Sequence, residues 1–152
     1  MKRLIDALGD SVTKMLTIQY RMNKIINDWI SEKLYDSKLR AHESVANHLL
    51  CDMHGVIKNE NTSTPLVLID TEGCDMTEMV MSGDDSMSAD EESKANDGEA
   101  NLVCRHVEEL IKSNVKQDEI AVITPYNLQM ELIRAKLHPK YPQVEGINKK
   151  NR

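Results

Sequence analysis

Three short apolar runs, each set against longer amphipathic stretches, constrain what this chain can fold into. Met15-Leu16-Thr17-Ile18, Pro65-Leu66-Val67-Leu68-Ile69-Asp70 and Glu119-Ile120-Ala121-Val122-Ile123 are short and mostly apolar, the pattern of strands buried in a sheet. After the first run, Met22, Ile25, Ile26, Trp29, Ile30 and Leu34 recur at three- and four-residue spacing, which predicts a helix capped by Asn23 with those six side chains in the core. After the third, Leu128, Leu132, Ile133 and Leu137 predict another helix. Between the second and third runs, Leu102, Val103, His106, Val107, Leu110 and Ile111 form a stripe that closes near Ser113-Asn114, with His106 read as a packed core histidine. Shorter helices are expected over 1–12, through Leu4, Ile5 and Leu8, and over 44–50, through Val45, Leu49 and Leu50. Strand, helix, strand, helix with short joins predicts an α/β fold: a parallel sheet flanked by helices, with right-handed crossovers.

A chain of 152 residues has room for one domain and one core. Only 3% of residues are aromatic and none is Phe, so that core must rest on Leu, Ile, Val and Met. The net charge of −6 reflects one stretch, residues 75–98, rich in Asp, Glu, Ser, Gly and Met. That composition cannot bury enough surface to offset its conformational entropy, so it reads as a disordered, solvated acidic loop. Elsewhere the charges nearly balance, which neither demands nor excludes a nucleic-acid groove. Cys51, Cys74 and Cys104 are odd in number and far apart, which favours reduced thiols inside a cell over a disulfide scaffold. His48, Cys51 and His54 lack the further ligand a closed tetrahedral zinc site needs, so no metal is expected there. No apolar run has the length of a signal peptide or a membrane span, and no membrane partner is expected.

In open α/β sheets, function gathers beyond the carboxyl ends of the strands. Two such edges stand out: Gln19-Tyr20-Arg21 after the first run, and Thr124-Pro125-Tyr126-Asn127 after the third. A guanidinium on a strand-to-helix turn can reach a phosphate, and a tyrosine ring offers a flat face to a base. From the residues alone, the favoured reading of Tyr20 is a half-buried aromatic anchoring the turn. That of Thr124-Pro125 is a strand stop, with Asn127 capping the next helix.

The run Leu16-Thr17-Ile18-Gln19-Tyr20-Arg21-Met22 closely resembles the motif that opens the second RecA-like domain of superfamily 1 helicases, in the group related to the nonsense-mediated-decay helicase. The resemblance continues through Leu34-Tyr35, Leu39, Ala41 to Leu50 and Leu68 to Cys74. It resumes at Gly98-Glu99-Ala100 and is strong from Ile120 to Gln129. It implies a three-layer RecA-like sheet, in a 5′-to-3′ helicase acting on DNA or RNA with ATP and Mg, in the nucleus and/or cytoplasm. By that resemblance Arg21 is the arginine finger that reaches the γ-phosphate from across an interdomain cleft. Tyr20 packs on adenine, and Gln19 belongs to the same nucleotide motif. Thr124, Pro125 and Tyr126 belong to a loop that contacts single-stranded nucleic acid. Gln129 belongs to that motif without an assigned contact.

The chain has no GxxxxGK[ST] phosphate loop and no acidic Mg-binding strand end, which the first RecA-like domain would supply as partner. Residues 1–145 therefore read as an incomplete second RecA-like domain and 146–152 as a divergent tail. No cofactor and no turnover are expected of the chain alone. Its interrupted sheet would leave an unpaired edge and marginal stability. A non-catalytic, truncated form that binds nucleic acid or the partners of a longer helicase is the alternative. A stand-alone α/β enzyme has no support, for want of a dinucleotide loop, a nucleophile elbow or paired carboxylates.

Overall fold

The computed structural model describes residues 3, 6, 9–81 and 93–148. Leu4, Ile5 and Leu8 of the expected first helix lie outside the described residues, and Gly9–Val12 form a single 3-10 turn. The chain divides into two compact units, Met1–Met53 with Ser63–Val67, and His54–Thr62 with Leu68–Arg152.

The first unit is a small parallel β-α-β motif. Strand β1 (Ile18–Gln19) leads into helix α1 (Lys24–Leu34), which returns the chain to β2 (Arg40–Ala41), followed by the one-turn helix α2 (Glu43–Ala46). The register is Ile18↔Arg40 and Gln19↔Ala41. Asn23 caps α1 as its type predicts, accepting from the Ile25 amide at 2.9 Å. The buried face of α1 is a correction to the sequence reading. It is Asn23, Asn27 and Ser31, whereas Ile25, Trp29 and Leu34 are exposed and Ile26 and Ile30 are half-buried. The cause is the chain entering β2, whose backbone bonds directly to α1 side chains. Asn27 Nδ2 donates to the Leu39 carbonyl (3.1 Å), and the Leu39 amide donates to Ser31 Oγ (3.0 Å). Asn23 Nδ2 likewise donates to the His48 carbonyl (3.0 Å). Backbone drawn that close leaves room for short polar side chains only. The run Met15–Ile18 is likewise not buried: Leu16 is 81% exposed, because β1 has one partner strand and no covering layer among the described residues.

The single turn α3 (Glu60–Ser63) lies where the chain passes between units. In the second unit β3 (Glu78–Met81) pairs antiparallel with β4 (Ser93–Asn96), so the edges of the expected acidic loop are strands. Residues 82–92 between them lie outside the described residues. Average composition over 75–98 hid this pair, since its partners meet only across a connection distant in sequence. Helix α4 (Asp97–Lys112) follows at once, capped by Asn96, whose side chain accepts from the Glu99 amide (3.0 Å) and donates to the Met76 carbonyl (3.0 Å). Gly98 fits here because a Cβ would lie 2.6 Å from Met76 Cγ. At its far end Asn114 takes a left-handed φ of 67°, and Val115 N bonds to the Leu110 carbonyl (3.1 Å), a helix stop of the expected type. Half-buried His106 agrees with a packing role.

Strand β5 (Ala121–Thr124), helix α5 (Asn127–Leu137) and β6 (Glu145–Asn148) make a second parallel β-α-β motif, with Val122 opposite Gly146. The boundary expected at 145 therefore cuts through a strand, and 146–148 continue the fold. Pro65–Asp70 has no regular structure and joins no ladder among the described residues, and Leu68 is 92% exposed. The described strands thus form three separate pairs, two parallel and one antiparallel, in place of one continuous sheet. The core of this unit gathers Ala95, Ala100, Val107, Ile120, Ile133, Leu137 and Val144. Ion pairs Lys136–Asp97 (2.8 Å) and Lys140–Glu108 (3.0 Å) link α5 and the turn after it to α4, and the hydrogen bond from Lys136 holds the Asp97 carboxyl below its usual range. Burial raises the Cys104 thiol; all three cysteines are free.

Burial differs enough to be tested directly. Leu137→Ala should lower stability by about 2–5 kcal/mol, while Leu68→Ala should change it by no more than about 0.5 kcal/mol. Chemical denaturation of the two variants measures this, and equal losses would contradict the assigned core.

Candidate functional site

The turn after β1 is built by one side chain. Gln19 Oε1 accepts from the amides of Arg21 (2.7 Å) and Met22 (2.8 Å), while its Nε2 donates to the Met22 carbonyl (2.8 Å). Both ends of the amide are thereby engaged with backbone, so Gln19 shapes the turn on which its neighbours stand. A glutamine can do this because a single planar group carries acceptor and donors together. Asn23 then opens α1 immediately beyond, so the turn is locked on both sides. Arg21 is exposed, and its guanidinium has no ion pair among the described residues. Tyr20 is 62% exposed, more open than a half-buried anchor of the turn would be. Its ring lies against His42, with centroids 4.3 Å apart and planes tilted by 30°. His42 extends the ladder, its amide donating to the Gln19 carbonyl (2.9 Å). The sequence reading gave His42 no role of its own; the parallel register, placing the residue after Ala41 beside the residue after Gln19, is the signal that finds it.

The second set belongs to the other unit. Thr124 is the buried last residue of β5, while Pro125 and Tyr126 are exposed. Asn127 is not the cap of α5: the N-cap position is Tyr126, which gives no side-chain bond, and the Leu128 amide donates instead to Ser93 Oγ of β4 (2.9 Å). Buried Gln129 reaches the same strand, its Oε1 accepting from the Asn96 amide (2.7 Å) and its Nε2 donating to the Asn96 carbonyl (3.3 Å). This side chain therefore takes the place of a neighbouring strand along β4. An open depression of about 210 Å³ borders the loop, lined among others by Lys94, Asn96, Pro125 and Tyr126. Lys94 pairs with Glu78 across the β3–β4 pair (3.1 Å).

Gln19, Tyr20 and Arg21 thus form one contiguous feature, and Thr124, Pro125 and Tyr126 another in a separate unit. Among the described residues no three His, Cys, Asp or Glu side chains are arranged to hold a metal ion. Among the same residues no helix is long and apolar enough to cross a membrane.

Known proteins share this sequence pattern. A family model described as an AAA domain matches residues 1–149. The DNA-binding protein SMUBP-2 of Mesocricetus auratus is 46% identical over 145 residues, 95% of this chain and 14% of that protein. The DNA polymerase alpha-associated DNA helicase A of Schizosaccharomyces pombe is 38% identical over 144 residues, 95% of this chain and 22% of that protein. An uncharacterized ATP-dependent helicase of Methanocaldococcus jannaschii is 31% identical over 133 residues, 80% of this chain and 17% of that protein. The chain therefore spans less than a quarter of the length of these relatives. The match over residues 1–149, which takes in the Gln19-Tyr20-Arg21 turn and both β-α-β motifs, makes this chain a member of the AAA-domain family of superfamily 1 helicases.

Proposed function

We propose that this chain is the second RecA-like segment of an ATP-dependent 5′-to-3′ helicase and contributes the arginine-finger edge of its nucleotide cleft. The observation that carries this reading is the Gln19-clamped turn, which holds an exposed Arg21 with no ion pair among the described residues just beyond the carboxyl end of β1, the first strand of a parallel β-α-β motif. In this reading the chain contributes strands and helices to the three-layer RecA-like arrangement of the intact helicase. The names of two relatives speak of DNA, which supports a nucleic acid, DNA or by the same sequence-independent contacts RNA, as the polymer moved, and an intracellular site, nucleus and/or cytoplasm, goes with that substrate.

The residues present fit one edge of a nucleotide site. A bound ATP with Mg supplies the phosphoryl group and the cation that neutralises its charge. Arg21 adds a guanidinium to the γ-phosphate oxygens as charge spreads over them, and Gln19 fixes the backbone from which it projects. Tyr20 presents its open face to the adenine. The first RecA-like domain provides the phosphate loop and the Mg-binding carboxylate, so the chain alone turns over no ATP. In the Thr124-Pro125-Tyr126 loop, exposed Pro125 and Tyr126 contact a single strand through backbone and ring without reading its sequence, while buried Thr124 supports them, its Oγ1 accepting from the Tyr126 amide (3.4 Å).

A chimera tests both halves of the reading, with this chain replacing the matching segment of the fission-yeast helicase. Arg21→Ala should lower nucleic-acid-stimulated ATPase kcat by roughly 10³-fold or more; an unchanged kcat would remove the finger assignment. Tyr126→Ala should weaken single-strand binding by about 1–3 kcal/mol with the KM for ATP unaltered. Unchanged affinity across a low-salt titration would remove the loop from the nucleic-acid surface.

A further inference from the structure

Tyr20 is exposed, and an exposed tyrosine ordinarily samples several rotamers, which must be frozen when a base stacks on it. Here one side of the ring is already occupied. The in-register pairs Ile18↔Arg40 and Gln19↔Ala41 make Tyr20 and His42 the next positions outward at the same sheet edge. The two rings meet there at 4.3 Å between centroids. The imidazole is itself held: His42 is the N-cap of α2, its Nδ1 accepting from the Ser44 amide (3.3 Å) and lying 2.9 Å from Ser44 Oγ. The two contacts at Nδ1 fix the ring plane.

We infer that His42 is a positioning residue for a nucleobase platform: its capped imidazole supports one side of the Tyr20 ring and leaves the other open to a purine. The inference rests on the reading of Tyr20 as a base contact and adds the residue that orders it. His42 acts through Tyr20 and touches neither phosphate nor Mg. A ring ordered before binding loses less entropy when the base arrives, so the support shows in affinity for the base.

The two roles of His42, helix cap and ring support, separate by substitution in the full chain, with adenosine as a probe that carries the base without phosphates. His42→Asn keeps a good N-cap and removes the ring; His42→Phe keeps a ring and removes the cap acceptor. In NMR spectra the natural chain should give a ring-to-ring Overhauser contact and a single Tyr20 χ1 rotamer. His42→Asn should average that rotamer and weaken adenosine binding roughly three- to tenfold, with His42→Phe within about twofold of the natural chain. The reverse pattern, with His42→Asn silent and His42→Phe disruptive, would make His42 a helix cap alone and overturn the inference. If the natural chain shows no adenosine binding while Tyr20 order still follows the ring at position 42, the positioning stands and the base contact falls.

Discussion

Strands of two to four residues offer few ladder hydrogen bonds, and this chain has no longer ones among its described residues. What holds their ends is side-chain amide or hydroxyl bonded to backbone. Asn27 and Ser31 grip the backbone C=O and N–H of Leu39, Gln19 grips the backbone of Arg21 and Met22, and Gln129 grips the backbone N–H and C=O of Asn96. Each bond contributes only about 0.5–1.5 kcal/mol net, but leaving such a buried group unmatched costs more. These clamps therefore act on geometry, fixing where the chain turns at the points from which the candidate site residues project. Asn27 shows the limit of the device, since its buried Oδ1 has no partner among the described residues.

Helices were the legible part of the sequence. Asn23 and the Ser113-Asn114 stop marked boundaries because capping chemistry is local and written in adjacent residues, whereas the Asn96 cap of α4 emerges only in the structure. Of the strands, only β1 and β5 overlap apolar runs, at Ile18 and over 121–123; their partners β2 and β6 carry no such run. The run Pro65–Asp70 has the composition of a strand, yet composition does not supply a partner, and it joins no ladder. The acidic stretch misled in the opposite sense, because β3 and β4 find one another across residues that carry no strand signal. On α1 the apolar stripe was real but did not choose the buried face, since direct bonds to the Leu39 backbone placed the polar row inward.

The site was legible in part. Gln19, Tyr20 and Arg21 were singled out together, and the structure divides their labour: Gln19 is committed to backbone, Tyr20 stands open on one side, and Arg21 projects without an ion pair among the described residues. His42 was not singled out, because its place beside Tyr20 follows from strand register. Gln129 was noted without a contact; its bonds to Asn96 give it one, and they tie the Thr124 loop to β4.

Amide hydrogen exchange read residue by residue on the full chain tests most directly whether side-chain clamps hold these turns. The amides of Arg21, Met22, Leu39 and Asn96 each donate to a side-chain oxygen and to no strand partner that would otherwise protect them. They should exchange roughly tenfold or more slower than unstructured amides. Exchange of these four at unprotected rates, while the amide of Ile133 within α5 stays protected, would contradict the account.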